Sequence, residues 1–348
     1  MNADNLNELA QAVQYNCNIS DARHGADYSL CVYLMKMREY YRWEKRLPYG
    51  AMLEKDRVGD WLSAREQLWE ELEAAELEPL SIDGERFDPF DSDAINRRLK
   101  PQGLIYSGGL GNKAKPHFFL GDLERRESNA DYTAYVVAHE YARDLTAPPA
   151  MTRGHSIFVR REALRRLLWE KLESWRWSRP DNALGRAFAC YDFDGALDSA
   201  LDAMTDREIT AVLLHERGEH EAGLRLGEDW DLMLLDLVHT PAEIMARAAR
   251  DHLADCISTL PALAREGKKP SLHFFMGNLT NMRREIFPAL ARAYDEWALS
   301  GDTEPLSEIA DLGATHWDGL ARAMVAIHRE SPREAASRIQ DLVAESYL

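Results

Sequence analysis

Long apolar runs are missing from this chain of 348 residues. No stretch approaches the ~20 consecutive apolar residues of a membrane helix, which excludes a helical spanning protein. The opening residues, MNADNLNELAQ, carry no basic segment followed by an apolar one, so no secretory leader is expected and the chain reads as cytoplasmic. Cysteine is scarce. Cys17, Cys31, Cys190 and Cys256 are the whole set, and no two of them form a Cys-x-x-Cys pair. That speaks against a zinc ribbon or a thioredoxin-like centre. Cys31 and Cys256 fall inside helical patterns and read as small core residues, whereas Cys17, just ahead of an expected helix, is the candidate reactive thiol. Positive charge is short: 42 Lys and Arg face 59 Asp and Glu, for a net charge of −17. Nucleic acid and anionic membrane surfaces are therefore not expected partners.

Familiar catalytic signatures are also lacking. There is no Gly-x-Ser-x-Gly elbow. His215-Glu216 is followed by His220 one position too late for a His-Glu-x-x-His zinc site, and no paired Glu-x-x-His motifs occur. The glycine-rich residues 107–113 lack the ending of a phosphate-binding loop and read as a plain loop.

What is present is a globular composition, 45% hydrophobic and 29% charged. The fold class expected is mainly α: a multi-helix bundle with a small β-containing insertion in the middle of the first half. Helices are expected over 22–45, with Ser20 and Asp21 as capping residues, and over 59–77. Turn punctuation then separates short β-prone pieces at 104–106, 117–120, 132–137 and 156–159; residues 132–145 also fit a helix. Helix returns from 161, with segments over 162–175, 205–226, 230–238, 240–260, 272–299, 317–328 and 333–348. Thr240-Pro241-Ala242-Glu243 is a capping box with proline in the first turn. The domain reading is 1–80 as N-terminal helices, 81–160 as a small α+β insertion, and 161–348 as a helical domain packed with 1–80 in one body. One string occurs twice: His117-Phe118-Phe119-Leu120-Gly121 resembles His273-Phe274-Phe275-Met276-Gly277, but the flanks do not align, so no repeat is inferred.

The candidate chemistry comes from helical phase. At about 100° per residue, Glu216, Glu219 and His220 share the stripe of Ile209 and Leu213 that should face a core, with His215 on its flank. On the next long helix His252 lies in the apolar stripe, with Asp255 and Asp251 at its edge. A buried carboxylate is costly unless it is paired, hydrogen-bonded or bound to metal. Histidines and carboxylates projecting inward from several helices also build carboxylate-bridged metal centres. Glu216, Glu219, His220, His252, Asp255 and His24 are thus the candidate metal ligands, for iron ahead of manganese or zinc. The competing reading of each inward histidine is a hydrogen-bonded core residue. Arg38 and Glu39, on the face of His24, are the candidate catalytic pair, with Arg38 or Arg42 orienting an anionic group. His139-Glu140 is a lesser candidate. The arginines Arg165 and Arg166, among Trp169 and Trp175, read as side chains covering an aromatic face.

Asn16-Cys17-Asn18-Ile19-Ser20-Asp21-Ala22-Arg23-His24, His215-Glu216-x-Gly218-Glu219 and Asp251-His252-Leu253-Ala254-Asp255-Cys256 resemble an uncharacterised bacterial family, over most of the chain. The resemblance implies no activity, cofactor or catalytic residue. The residues themselves lead to a metal-dependent helical enzyme, redox or hydrolytic, acting on a small anionic substrate. The alternatives are a non-catalytic acidic helical adaptor and a metal-free small-molecule binder using the His24 and Arg38 face. The sequence fixes no oligomeric state.

Overall fold

Asn2 caps the first helix, α1 (Ala3–His24), by accepting a hydrogen bond from the Asn5 amide at 2.8 Å. The structure is a computed structural model and describes residues 1–111, 115–267 and 269–348. It is mainly α-helical, with β-structure in the first half. The chain divides into two units, residues 1–170 with 194–205, and residues 171–193 with 206–348. Among the described residues no helix is long and apolar enough to cross a membrane.

In the first unit, α1 ends at Gly25, a single 3-10 turn follows, and α2 (Leu30–Glu44) begins afresh. The single helix expected over 22–45 is therefore two helices with a break between them. The polar string at 16–21, read as a helix start, lies inside α1 instead. Such residues favour caps when they bond their own backbone, but here they bond other segments. Asn16 exchanges two 2.8 Å hydrogen bonds with the Glu78 backbone, and Asp21 accepts from the Leu145 amide at 2.8 Å. Helix α3 (Lys55–Leu72) precedes a hairpin, β1 (Leu80–Ile82) and β2 (Glu85–Phe87). Asp83 and Gly84 turn it with φ of 52° and 82°, the left-handed pair that tight hairpins require.

Helix α4 (Ser92–Leu99) leads into a five-stranded sheet of β3 (Leu104–Leu110), β4 (Pro116–Ser128), β5 (Thr133–Arg143), β6 (Ala150–Arg153) and β7 (Ser156–Arg160). The order is β3-β4-β5-β7-β6, antiparallel except for the β5–β7 pair. Residues 133–143 are thus strand, which settles the ambiguity of that segment. Side chains alternate across the sheet. Phe118 and Leu120 join Leu9, Val13 and Cys17 of α1 in one core, while Phe119 packs with Ile105, Val137 and Phe158 in another. Helix α1, β1, α4 and strands β3 to β5 share that first core, while Met37 and Tyr40 of α2 and Trp69 of α3 pack with Leu145 in another. Asn112 and Lys113 of the glycine-rich segment lie outside the described residues.

Helix α5 (Arg161–Arg176) is followed in order by α6 (Ala183–Phe188), α7 (Leu197–Leu226), α8 (Glu228–Asp236) and α9 (Pro241–Ala254). Thr240 caps α9, accepting from the Glu243 amide at 3.3 Å, while the Glu243 carboxylate accepts from the His239 amide at 3.0 Å. A π turn, Asp255–Thr259, joins α9 to α10 (Leu260–Glu266). The helix expected over 272–299 is three: α11 (Lys269–Asn278), α12 (Asn281–Ile286) and α13 (Pro288–Ser300). Thr280 caps α12 and Pro288 starts α13, so each break has a local cause. Helices α14 (Glu304–Glu330) and α15 (Ala335–Ala344) complete the second unit, whose core holds Trp230, Leu253, Phe287, Trp317 and Met324. The twice-occurring string is strand in β4 and helix in α11, so its surroundings, not its letters, set its structure.

Candidate functional site

The inward acids and imidazoles of the second unit gather where α7 meets α9. Gly218 makes that approach feasible: a Cβ there would lie 2.2 Å from the Ala254 carbonyl oxygen. His215 and Glu219, one turn apart on α7, then face Asp255, the first residue of the π turn. His215 Nδ1 lies 2.8 Å from Asp255 Oδ1, and its Nε2 lies 3.5 Å from Glu219 Oε1. Arg250 of α9 reaches Glu219 at 3.0 Å, and Arg283 of α12 closes an ion pair with Asp255. Burial opposes the charge of His215, yet Asp255 and Glu219 carry its pKa well above 6.5. Burial likewise opposes the charge on Glu219, but His215 and Arg250 bring it down to about 2. The imidazole is therefore a cation with both nitrogens directed at carboxylates, and each carboxylate also has a guanidinium.

His252 is fully buried on α9. Its Nε2 lies 2.8 Å from the Arg283 carbonyl oxygen, and its ring stacks on Trp317 at 5.0 Å. Burial and the charge of Arg283 lower its pKa to about 3, so it is a neutral core imidazole. Glu216 is buried and His220 half-buried on α7. The imidazole that meets Asp255 and Glu219 is thus His215, the residue the helical wheel put on the flank, rather than His220. His24 belongs to the first unit, 3.4 Å from Asp27. Among the described residues no three His, Cys, Asp or Glu side chains gather in an arrangement able to hold a metal ion. A cavity of about 150 Å³ lies beside His215, lined also by Glu208, Asp255, Phe274 and Arg283.

Cys17 is fully buried on α1 and donates a hydrogen bond to the Phe118 carbonyl at 3.3 Å. Burial and the charge of Asp144 push its thiol well above 9.0, so it is not the reactive cysteine expected. Cys31, read as a core residue, is exposed.

The first unit contains the larger constellation. Glu39 is buried between Arg38 and Arg42, at 2.7 and 3.2 Å. Glu39 and Arg42 line a cavity of about 520 Å³ whose other walls include Trp43, Arg46, Tyr49, His139, Arg143, Glu162, Arg165 and Arg166. Most of these arginines have a carboxylate. Arg165 pairs with Asp198 and Asp202 at 2.8 and 2.7 Å, and Arg46 lies 3.5 Å from Glu162. Glu162 also lies 2.8 Å from His139 Nδ1. Elsewhere in the unit Arg160, buried completely, pairs with buried Glu140.

Arg143, the last residue of β5, differs. It is 2% exposed. Its guanidinium lies over the rings of Trp43 and Tyr40, 4.7 and 5.2 Å from their centres. Its Nε has no hydrogen-bond partner among the described residues. Burial, then the neighbouring charge of Arg166, lowers its pKa. Arg166 donates to the carbonyls of Thr146 and Ala147 at 3.2 and 2.7 Å, its Nε lies 3.8 Å from the Glu170 carboxylate, and its buried Nη1 has no hydrogen-bond partner among the described residues. Sequence reasoning passed over Arg143. The available signal was a charged residue ending the apolar alternation of β5, Ala134 to Arg143.

With this geometry in hand, comparison with known proteins adds a family and no activity. A family of unknown function, DUF6866, matches twice, its N-terminal domain over residues 8–160 and its C-terminal domain over 165–346. The chain belongs to that family. No curated protein and no solved structure matches it.

Proposed function

We propose that this member of the DUF6866 family binds a small organic anion, carrying a phosphate or carboxylate group, in the arginine-lined cavity of its first unit. The observation that carries the reading is Arg143, a buried guanidinium lining that cavity whose Nε has no hydrogen-bond partner among the described residues, and whose pKa burial and Arg166 lower despite the opposing charge of Glu140. An uncompensated buried charge costs several kcal/mol, roughly 3–5 when a pair is broken. A ligand oxyanion supplies the missing counter-charge. A guanidinium fork fits phosphate or carboxylate with two parallel hydrogen bonds. Arg166 Nη1 offers a further donor without a hydrogen-bond partner among the described residues, and Tyr49 and Trp43 provide flat apolar surface for an organic body.

The acidity of the whole chain does not oppose this. At physiological salt, charge beyond about 8 Å is largely screened, so the local arginines decide. The reading is one of recognition; the metal-free binder anticipated on the His24 and Arg38 face is of the same kind, although neither residue lines this cavity.

The test is a thermal melt and calorimetric titration of the full chain with inorganic phosphate and phenyl phosphate, against sodium chloride at equal ionic strength. A saturable rise in Tm that disappears in Arg143→Met supports the reading. No saturable response, or one that survives in Arg143→Met with Arg166→Met, overturns it.

A further inference from the structure

A second cavity in the first unit, of about 450 Å³, has the opposite chemistry. It lies where α1 gives way to α2, and its walls are aromatic: Tyr28, Tyr33 and Trp69. Gly25 sits between two of these rings, since a Cβ there would be 3.6 Å from Trp69 and 3.8 Å from Tyr33. Asp21 also lines the cavity and is wholly buried. One of its oxygens accepts from the Leu145 amide. The other, Oδ1, accepts no hydrogen bond among the described residues, and Lys115 Nζ stands 3.8 Å from it. Glu66 and Glu70 of α3 and Glu73, its C-cap, complete the lining, all exposed.

We infer that this cavity is a binding site for an alkylated ammonium group. Aromatic faces attract a cation through their quadrupoles, most effectively when the cation is poorly hydrated, and a methylated ammonium is such a cation. The protein's own lysines already use one of these rings: Lys36 Nζ and Lys115 Nζ lie 5.0 and 5.7 Å from the centre of Tyr28. Burial, then the charge of Asp144, pushes the Asp21 carboxyl up to about 8, so above that pH its under-bonded oxygen supplies a buried anion beside Lys115, and the glutamates at the rim draw the cation toward the opening. The site uses none of the arginines of the first cavity, so it stands or fails independently of that reading.

The probe is tetramethylammonium chloride, titrated calorimetrically into the full chain above the pKa of Asp21, with sodium chloride as control. Saturable binding is expected, weakened at least about tenfold by Asp21→Asn, as for removal of a buried charge from a pair. Glu70→Gln with Glu73→Gln, two exposed changes that leave the fold intact, should weaken it about two- to fivefold. Heat of dilution alone, or binding undiminished in both variants, overturns the inference. If Asp21→Asn does not fold, the glutamate variant decides by the same criterion.

Discussion

Gly218 and Ala254 are pressed together so closely that a methyl group on Gly218 would stand 2.2 Å from the Ala254 carbonyl oxygen. The obstacle is backbone, which cannot rotate aside as a side chain does. Gly218→Ala should therefore push α7 away from α9 and destabilise the protein by about 1–3 kcal/mol, the usual cost of overpacking. The check is the urea midpoint. An unchanged midpoint would show that the two helices part without cost.

The same contact brings His215 to Asp255 and Glu219, and the pH dependence follows from their shifts. His215 titrates higher in the folded chain than its ordinary 6.5, so its contribution is complete below that value and is lost as pH rises through the folded pKa. Glu219 is lowered from 4.5 to about 2, so its contribution is complete above the ordinary value and is lost as pH falls through about 2. Arg250 and Asp251 also face this group. His215 and Glu219 are both charged in the folded chain between about 4.5 and 6.5, while Asp251, raised to about 6 mainly by burial, changes its charge within that range. The stability gap between the native chain and His215→Gln should be widest there and shrink toward alkaline pH. A gap that widens with pH contradicts the assignment of a cationic imidazole.

Arg143 offers a sharper discrimination. A guanidinium kept for stability would make its removal harmful. One kept for a ligand would make it neutral or favourable, because replacing a poorly compensated buried charge with an apolar residue often stabilises by about 1–4 kcal/mol. Arg143→Met should therefore leave Tm unchanged or higher in the absence of anion and abolish the phosphate-induced rise. A fall in Tm without anion would make Arg143 a structural ion.

Thiol reactivity should sort by burial. Cys31 and Cys190 are exposed, whereas Cys17 and Cys256 are buried, and burial pushes both buried thiols upward. In a thiol-reagent assay on the native chain, Cys31 and Cys190 should react and the other two only after denaturation, with Cys190 slowed because desolvation raises its thiol pKa. Rapid labelling of Cys17 would contradict its position inside α1.

The mainly helical class and the sheet between Leu104 and Arg160 were legible because turn residues and β-branched or aromatic runs are local signals. The start of α1 was not. Ser20 and Asp21 look like capping residues until their distant partners are known, and those partners lie at Pro116 and Leu145. The inward turn of His252 and Asp255 was readable from helical phase. That Asp255 meets Arg283 was not, because phase on one helix says nothing about a residue on another. For the same reason Arg143 escaped notice: its oddity lies in what it lacks nearby, which only three-dimensional structure displays.

The π turn at Asp255–Thr259 accommodates one residue more than ordinary helical winding. A relative one residue shorter at this place would retain both apolar faces of the helix, before and after the turn, in phase. It would nonetheless withdraw the carboxylate that His215 grips. The extra residue thus ties the length of this segment to the ionic clasp between α7 and the turn.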